Sequence, residues 1–264
     1  MRAARVERAI KRYKPKRVTH KYGTERLELE IADPLAEDWY DRDWQAVPDV
    51  DCLRLAVSRD DSVIFDLGAH QCVVAMLLAR VVCPKGRVIA VEANSHNVLA
   101  GRRNLTLNDV GNCEVVEGAV AERSGRIVFS CGLNGMIDDG TGEWGERSVR
   151  AYTVDELTAI HGLPDVLFLD VEGYECQVLN GAMSTLRSRP TCLVEVHVGA
   201  GLEDFGGSVR HLLSFFSARD YDLFVRSEVD DGFRKLNSAA DAPKRRFFLM
   251  ASSRPVDLTA LMTT

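Results

Sequence analysis

The chain has 264 residues, 46% hydrophobic and 27% charged, a composition that excludes a disordered chain, a collagen-like repeat or a disulfide-stapled miniprotein. Its length suits one large α/β domain that buries roughly three quarters of its unfolded-chain surface. The net charge of −6 is unevenly placed: residues 1–20 hold eight Arg and Lys against Glu7 alone, a net +7 that leaves −13 on the remainder.

No apolar run approaches the ~20 residues needed to cross a bilayer; the longest, 72–82, is interrupted by Arg80. No membrane span is expected. The first twenty residues lack the apolar core of a signal peptide, so a cytoplasmic location is expected. Seven cysteines (Cys52, Cys72, Cys83, Cys113, Cys131, Cys176 and Cys192) form no C-x-x-C pair and read as reduced, mostly buried thiols. The basic arm has no aromatic-rich or base-reading motif beside it, so it reads as a solvated segment against its own acidic body, and nucleic acid is not an expected partner.

In chain order, residues 1–60 offer a strand at 26–32 and an acidic stretch holding Trp39, Tyr40 and Trp44; this part is taken as the basic arm plus an accessory region on the substrate side. From residue 61 onward, short β-branched runs alternate with helix-length segments, the habit of a parallel sheet covered on both faces. Strand 62–67 leads to a helix at 72–82, closed by Pro84 and Gly86. Strand 87–92 leads to a helix at 95–107 with Ser95 as N-cap, then to strand 113–118.

A strand at 126–131 precedes the Gly- and Asp-rich, aperiodic run 132–146, which is long enough to be read as a lid over a site. A helix at 154–160, a strand at 165–170 and a helix at 174–186 follow, ended by Arg189 and Pro190. Strand 191–198 leads to a helix with Leu212, Leu213, Phe215 and Phe216 on its apolar face, and 221–227 and 245–252 are the last strands. The main domain is therefore set at 61–252, with a C-terminal tail at 253–264.

The segment Val63-Ile-Phe-Asp-Leu-Gly-Ala-His70 is an apolar strand with an acid near its end, then a glycine turn. Gly68 lets backbone approach a ligand closely, and in doubly wound sheets the ligand crevice lies beyond the carboxyl ends of the strands. Glu92 ends the next strand, where a carboxylate can accept hydrogen bonds from both ribose hydroxyls. The G-x-G-x-x-G of a pyrophosphate site is absent. A nucleoside with a cationic amino-acid tail would suit Asp66, which points to S-adenosylmethionine.

A second group is Asp170-Val-Glu172-Gly-Tyr-Glu175 at the end of the fourth main strand, with Glu175 read as a capping group in the first helical turn. On the adjacent strand Glu195 and His197 project to one side. Methyl transfer to a hydroxyl requires its proton to be removed, or its pKa lowered by a metal. His197 is the candidate general base, with Asp170, Glu172 and Glu195 as its companions; if a divalent cation takes part, Asp170, Glu195 and His197 are its candidate ligands.

The ordered set Phe65-Asp-Leu-Gly-Ala69, Val91-Glu92, Asn104-Leu-x-Leu-Asn108, Asp170-Val-Glu-Gly-Tyr-Glu175 with Leu179-Asn-Gly-Ala182, and Arg189-Pro190 followed by Glu195-Val-His197 resembles the FkbM family of S-adenosylmethionine-dependent methyltransferases. The resemblance implies a Rossmann-like class I methyltransferase fold: a seven-stranded, mostly parallel sheet with a reversed last strand and helices on both faces. It also implies O-methylation of a hydroxyl on a sugar, glycolipid or polyketide-type secondary metabolite. It matches Asp66, Gly68 and Glu92 to the cofactor motifs, with Ala69 and Ala93 beside them as candidate cofactor-binding residues, and Gly118 and Ala119, after Glu117, to the adenine border. The sequence departs from the family's pattern at His70 and Cys72, where the family usually has Asn and Gly, at Ala93 for Pro, and at Phe168 for a frequent Lys. Two other readings stand beside it: N-methylation of a protein or peptide asparagine amide, and a non-catalytic binding module that uses the basic arm.

Overall fold

The computed structural model describes residues 8, 10–57, 59, 61–82, 85–130, 136–137, 146–230 and 232–256. In chain order its strands are β1 (Lys16–Tyr22), β2 (Glu25–Ile31), β3 (Val63–Leu67), β4 (Arg87–Glu92), β5 (Cys113–Glu117), β6 (Ala119–Val120), β7 (Gly125–Ser130), β8 (Met136–Ile137), β9 (Glu146–Tyr152), β10 (Val166–Leu169), β11 (Thr191–Val196), β12 (Asp222–Ser227), β13 (Arg234–Lys235) and β14 (Phe247–Ser252).

The main sheet has the order β13-β12-β14-β11-β10-β3-β4-β5. Strands β5, β4, β3, β10 and β11 run parallel, while β14 is antiparallel to both of its neighbours, β11 and β12. This is the class I methyltransferase sheet expected from the sequence, with the reversed strand inserted before the edge. An eighth, two-residue strand, β13, adds to the expected seven.

Alternation of side chains along each strand builds two cores, one per face. Ile64, Val88, Ala90, Phe168, Leu193 and Met250 pack with helix Val73–Val81 and with the N-terminal elements. Phe65, Leu67, Ile89, Leu167, Val194 and Leu249 point the other way, onto helices Val154–His161, Glu175–Asn180 and Val209–Ser214. A smaller sheet, ordered β6-β9-β7-β8, brings Phe129 against Ala93 and Ala119.

Several local expectations change. Asn94, whose side chain accepts the His96 N–H, caps helix Ser95–Leu107 in place of Ser95. The helix expected at 174–186 ends at Asn180, where Gly181 follows, and a separate 3₁₀ turn covers Thr185–Ser188. Strand β2 forms a hairpin with β1, which uses the end of the basic arm: Lys16 pairs with Asp41 at 2.6 Å and with Glu37, and Arg17 faces Glu28. The lid expectation for 132–146 lies outside the described residues apart from β8 and the first residue of β9. Among the described cysteines, Cys52, Cys72, Cys113, Cys176 and Cys192 are free thiols.

Two short helices, Pro34–Tyr40 and Pro48–Ala56, carry the chain from the hairpin to β3. Both begin on a proline, which suits the first helical turn because no N–H is needed there. Asp33 caps the first, accepting from the N–H groups of Leu35 and Ala36 at 2.9 Å. No helix among the described residues is long and apolar enough to cross a membrane.

Candidate active site

Strand β3 lies between β4 and β10, where the chain order reverses, so its carboxyl end opens on the crevice of the sheet. Gly68 takes a φ of +98°, and the N–H groups of Gly68 and Ala69 both donate to the Val91 carbonyl, at 2.9 and 3.0 Å. Glu92 is tied to this turn: Oε2 accepts the His70 N–H at 2.8 Å and Oε1 accepts the Asn94 N–H at 2.6 Å. Asp66 is 1% exposed and its Oδ2 has no hydrogen-bond partner. Burial raises the pKa of Asp66 to about 7, and burial raises that of Glu92 to about 7 against the pull of its N–H donors. An orphaned, buried carboxylate oxygen beside a second buried acid is a cradle for a polar, cationic ligand, and the residues fit S-adenosylmethionine in this respect.

His70 and Cys72, the two departures from the family's pattern, have φ values of +46° and +62°. Asn and Gly adopt this left-handed region more readily than His or Cys. His70 is held there by more than its backbone. Its Nδ1 shares a hydrogen bond with the Tyr40 hydroxyl at 2.9 Å, and the Tyr40 carbonyl accepts the Tyr22 hydroxyl at 2.6 Å. Asp33 reinforces the same junction, with Gln71 Nε2 at 2.6 Å and His96 Nε2 at 2.9 Å from its Oδ2. Burial disfavours its charge, yet the bonds to His96 and to the Ala36 N–H hold its pKa below the ordinary carboxylate value. Asp33, Tyr22 and Tyr40 were not singled out as site supports from the sequence; their signal was an acid directly before a helix-starting proline and a cluster of aromatics.

The second half of the site stands on the ends of β10 and β11. His197 is 1% exposed. Its Nδ1 lies 2.6 Å from Glu175 Oε1, which also accepts the Gly173 N–H at 2.9 Å. Nε2 points at Glu172 Oε2 (3.5 Å), Asp170 Oδ1 (3.7 Å) and Glu195 Oε1 (3.9 Å). Glu175, read as a cap from the sequence, is instead fully buried beneath the imidazole and orients it. Burial and the neighbouring acids raise the pKa of Asp170 well above its ordinary value; burial also raises Glu195, opposed by His197 and by Arg246, whose Nε is 3.3 Å away. Burial opposes a charge on His197, but the hydrogen bond to Glu175 and the charges of Glu172, Glu175 and Glu195 raise its pKa.

One cavity of about 330 Å³ joins the two halves. Asp66, Gly68, Ala69, Glu92, Ala93, Gly118 and Ala119 line one end, with Phe129; Asp170, Glu172, Glu195 and Arg246 line the other, and Trp39, Tyr40, Arg42 and Trp44 close it from the N-terminal side. Every residue expected at the cofactor motifs is thus in the wall. His197 is not. It stands behind the three carboxylates, so direct contact between its ring and an acceptor hydroxyl gives way to contact through those carboxylates. Asp170, Glu172 and His197 offer ligand atoms within 4.8 Å of one another, and Glu195 Oε1 lies 3.9 Å from His197 Nε2.

The sheet order, the glycine turn with its two acids and the acidic far wall together define a class I methyltransferase fold. Residues 66–223 match the model of the methyltransferase FkbM domain, and the chain belongs to that family. It is 28% identical over 180 residues to the hexuronic acid methyltransferase AglP of Haloferax volcanii, covering 64% of this chain and 70% of that protein. Similar solved structures include methyltransferase FkbM from Methylobacillus flagellatus (17% identity, TM-score 0.49), where the match covers 74% of this chain and 44% of the other. Another is an O-methyltransferase from Bacillus cereus in complex with SAH (12% identity, TM-score 0.46, 77% of this chain and 78% of the other). The chain therefore spans less than half the length of the M. flagellatus structure.

Proposed function

We propose that this protein transfers a methyl group from S-adenosylmethionine to a hydroxyl of a sugar-like acceptor. The observation that carries the reading is Asp66: a carboxylate 1% exposed, with an unpartnered oxygen, in the wall of a cavity that runs on to the Asp170, Glu172 and Glu195 carboxylates. S-adenosylmethionine supplies an electrophilic methyl on a cationic sulfonium. Glu92 receives the ribose hydroxyls and Asp66 faces the cationic amino-acid end, while Gly118, Ala119 and Phe129 border the base.

In the transfer, the S–CH₃ bond breaks with its electron pair passing to sulfur, the O–CH₃ bond forms, and the acceptor's proton leaves to the protein. Glu195, in the cavity wall and made more basic by burial, receives that proton. His197, the candidate general base, is reached through this carboxylate. Glu175 fixes the ring so that Nε2 faces it.

Trp39 and Trp44 give the acceptor end flat apolar faces of the kind that pack on the C–H faces of a sugar ring, and Arg42 and Arg246 add positive charge. The similarity to a hexuronic acid methyltransferase supports the same acceptor class, and residues 1–60 then serve as the substrate-side region. Calorimetry with S-adenosylmethionine tests the cofactor: stoichiometric binding that is lost in Glu92→Ala is expected, and no binding to the unaltered protein overturns the reading. Intact masses of sugars and of asparagine-containing peptides after incubation decide the acceptor, with methylated peptide alone pointing to the amide. Salt-sensitive nucleic-acid binding without any methylated product would point to a binding module.

A further inference from the structure

We infer that Asp170, Glu172 and His197 form a binding site for one divalent cation of the Mn²⁺ or Mg²⁺ class, open toward the acceptor end of the cavity. The inference rests on the proposed methyl transfer for its purpose, but its geometry stands alone.

The imidazole carries the argument. A carboxylate accepts, so the bond of 2.6 Å between Glu175 Oε1 and Nδ1 fixes a proton on Nδ1 and leaves Nε2 as the nitrogen that can ligate a metal, which displaces any proton there. Nε2 is buried and has no hydrogen-bond partner. Nε2 faces three carboxylate oxygens at 3.5, 3.7 and 3.9 Å, too far for a hydrogen bond. A shared proton would draw one oxygen to within about 3 Å of Nε2. None is that close.

A cation resolves this arrangement. Metal–oxygen and metal–nitrogen bonds of ~2.1 Å set neighbouring donors ~3.0–3.5 Å apart, so the separations of 3.5 and 3.7 Å between Nε2 and the Glu172 and Asp170 oxygens need to contract by at most about 0.7 Å, in a group whose three ligand atoms lie within 4.8 Å of one another. A ligating histidine whose other nitrogen donates to a carboxylate is the usual supported arrangement, and Glu175 fills that supporting role. One imidazole with two carboxylates is a mainly oxygen donor set that suits Mn²⁺ or Mg²⁺. Asp170 and Glu172 line the cavity, so the remaining positions face the incoming acceptor. There a cation lowers the pKa of the hydroxyl. Nε2 is then occupied, and Glu195, held off at 3.9 Å and paired with Arg246, keeps the proton-accepting role.

Mn²⁺ titrated into the full chain without cofactor, followed by calorimetry and by electron paramagnetic resonance, tests the site. One Mn²⁺ per chain is expected, with affinity falling at least tenfold in His197→Ala and in Asp170→Asn, and about tenfold or more in Glu175→Gln, which keeps every ligand but weakens the support of the ring. Spin-echo spectroscopy of the unaltered protein is expected to show coupling of Mn²⁺ to a directly bound imidazole nitrogen, a readout that needs no variant to fold. Absence of that coupling, or unchanged affinity in a His197→Ala variant with native circular dichroism, overturns the site. Cofactor binding measured on the same samples keeps the two proposals apart: loss of the cation site with intact S-adenosylmethionine binding leaves methyl transfer standing.

Discussion

The carbonyl oxygen of Asp170 occupies the place a side chain on Gly68 would need: a Cβ built on Gly68 falls 1.8 Å from it. The turn of the proposed cofactor site and the strand end that carries the acids are thus in backbone contact, and they can sit this close only because one of them has no side chain. Gly68→Ala is expected to destabilise the fold by about 2–4 kcal/mol, since a strained φ adds to the clash. It should also abolish binding of S-adenosylmethionine. Urea unfolding and calorimetry check both, and a variant of unchanged stability would break the proposed link between the halves.

Asp66 and Glu92 set a pH dependence. Unfolded, they ionise near the ordinary carboxylate values; folded, they hold their protons until about pH 7. The unfolded chain therefore binds fewer protons between about pH 4 and 7, and these two groups make the ligand-free fold less stable as pH rises through that window, with no further change above it. A cationic cofactor favours the ionised acids, so its affinity should rise about tenfold between pH 6 and 8 for each acid it needs ionised, about a hundredfold for both, and its binding should release protons below pH 7. Calorimetry in buffers of different ionisation enthalpy reads both quantities; a flat affinity would remove Asp66 and Glu92 from the cofactor's contacts.

His197→Ala is expected to lower kcat by 10²-fold or more while the affinity for S-adenosylmethionine changes less than threefold, because the ring lies behind the acceptor end and outside the cofactor end of the wall. Glu195→Gln should behave likewise, with its loss concentrated in kcat. Steady-state kinetics beside cofactor titration make the comparison. Retained turnover in either variant moves the proton to another group.

Asp33 reaches three elements at once, so Asp33→Ala is expected to destabilise the protein by about 3 kcal/mol at pH 7. Its folded pKa is depressed, so its contribution is present above the unfolded carboxylate value and fades as pH falls through the folded one. The difference between variant and unaltered protein in urea unfolding should close on acidification. A gap that persists at low pH would assign the effect to packing.

The parallel sheet was legible because β3, β4, β10 and β11 are short, apolar runs whose neighbours all point into one core or the other. The N-terminal part was not. In β2 the alternation of Glu with Leu marks a strand with one buried face, but its partner β1 is mostly Lys, Arg, Thr and His, with Tyr22 the one fully buried side chain at its end. Helices Pro34–Tyr40 and Pro48–Ala56 were announced by their prolines alone. At the site, the acids were readable from motif and strand position, whereas the depth of His197 and the true task of Glu175 were not. Spacing puts Glu175 at a helix start in either case, and only packing shows that it is sealed under the imidazole.

The reversed strand has a consequence for the order in which this molecule is made. Among the described strands β14 is the last to be synthesised, yet it fills an interior slot: β12 has no partner in the sheet except β13 and β14. Until residues 247–252 leave the ribosome, β12 and the helix before it hang on a sheet that stops at β11. The nascent chain can build the Asp66 and Glu92 half of the cavity from β3, β4 and β5 early, but the wall that holds Arg246, just before β14, closes only once residues 247–252 have been made.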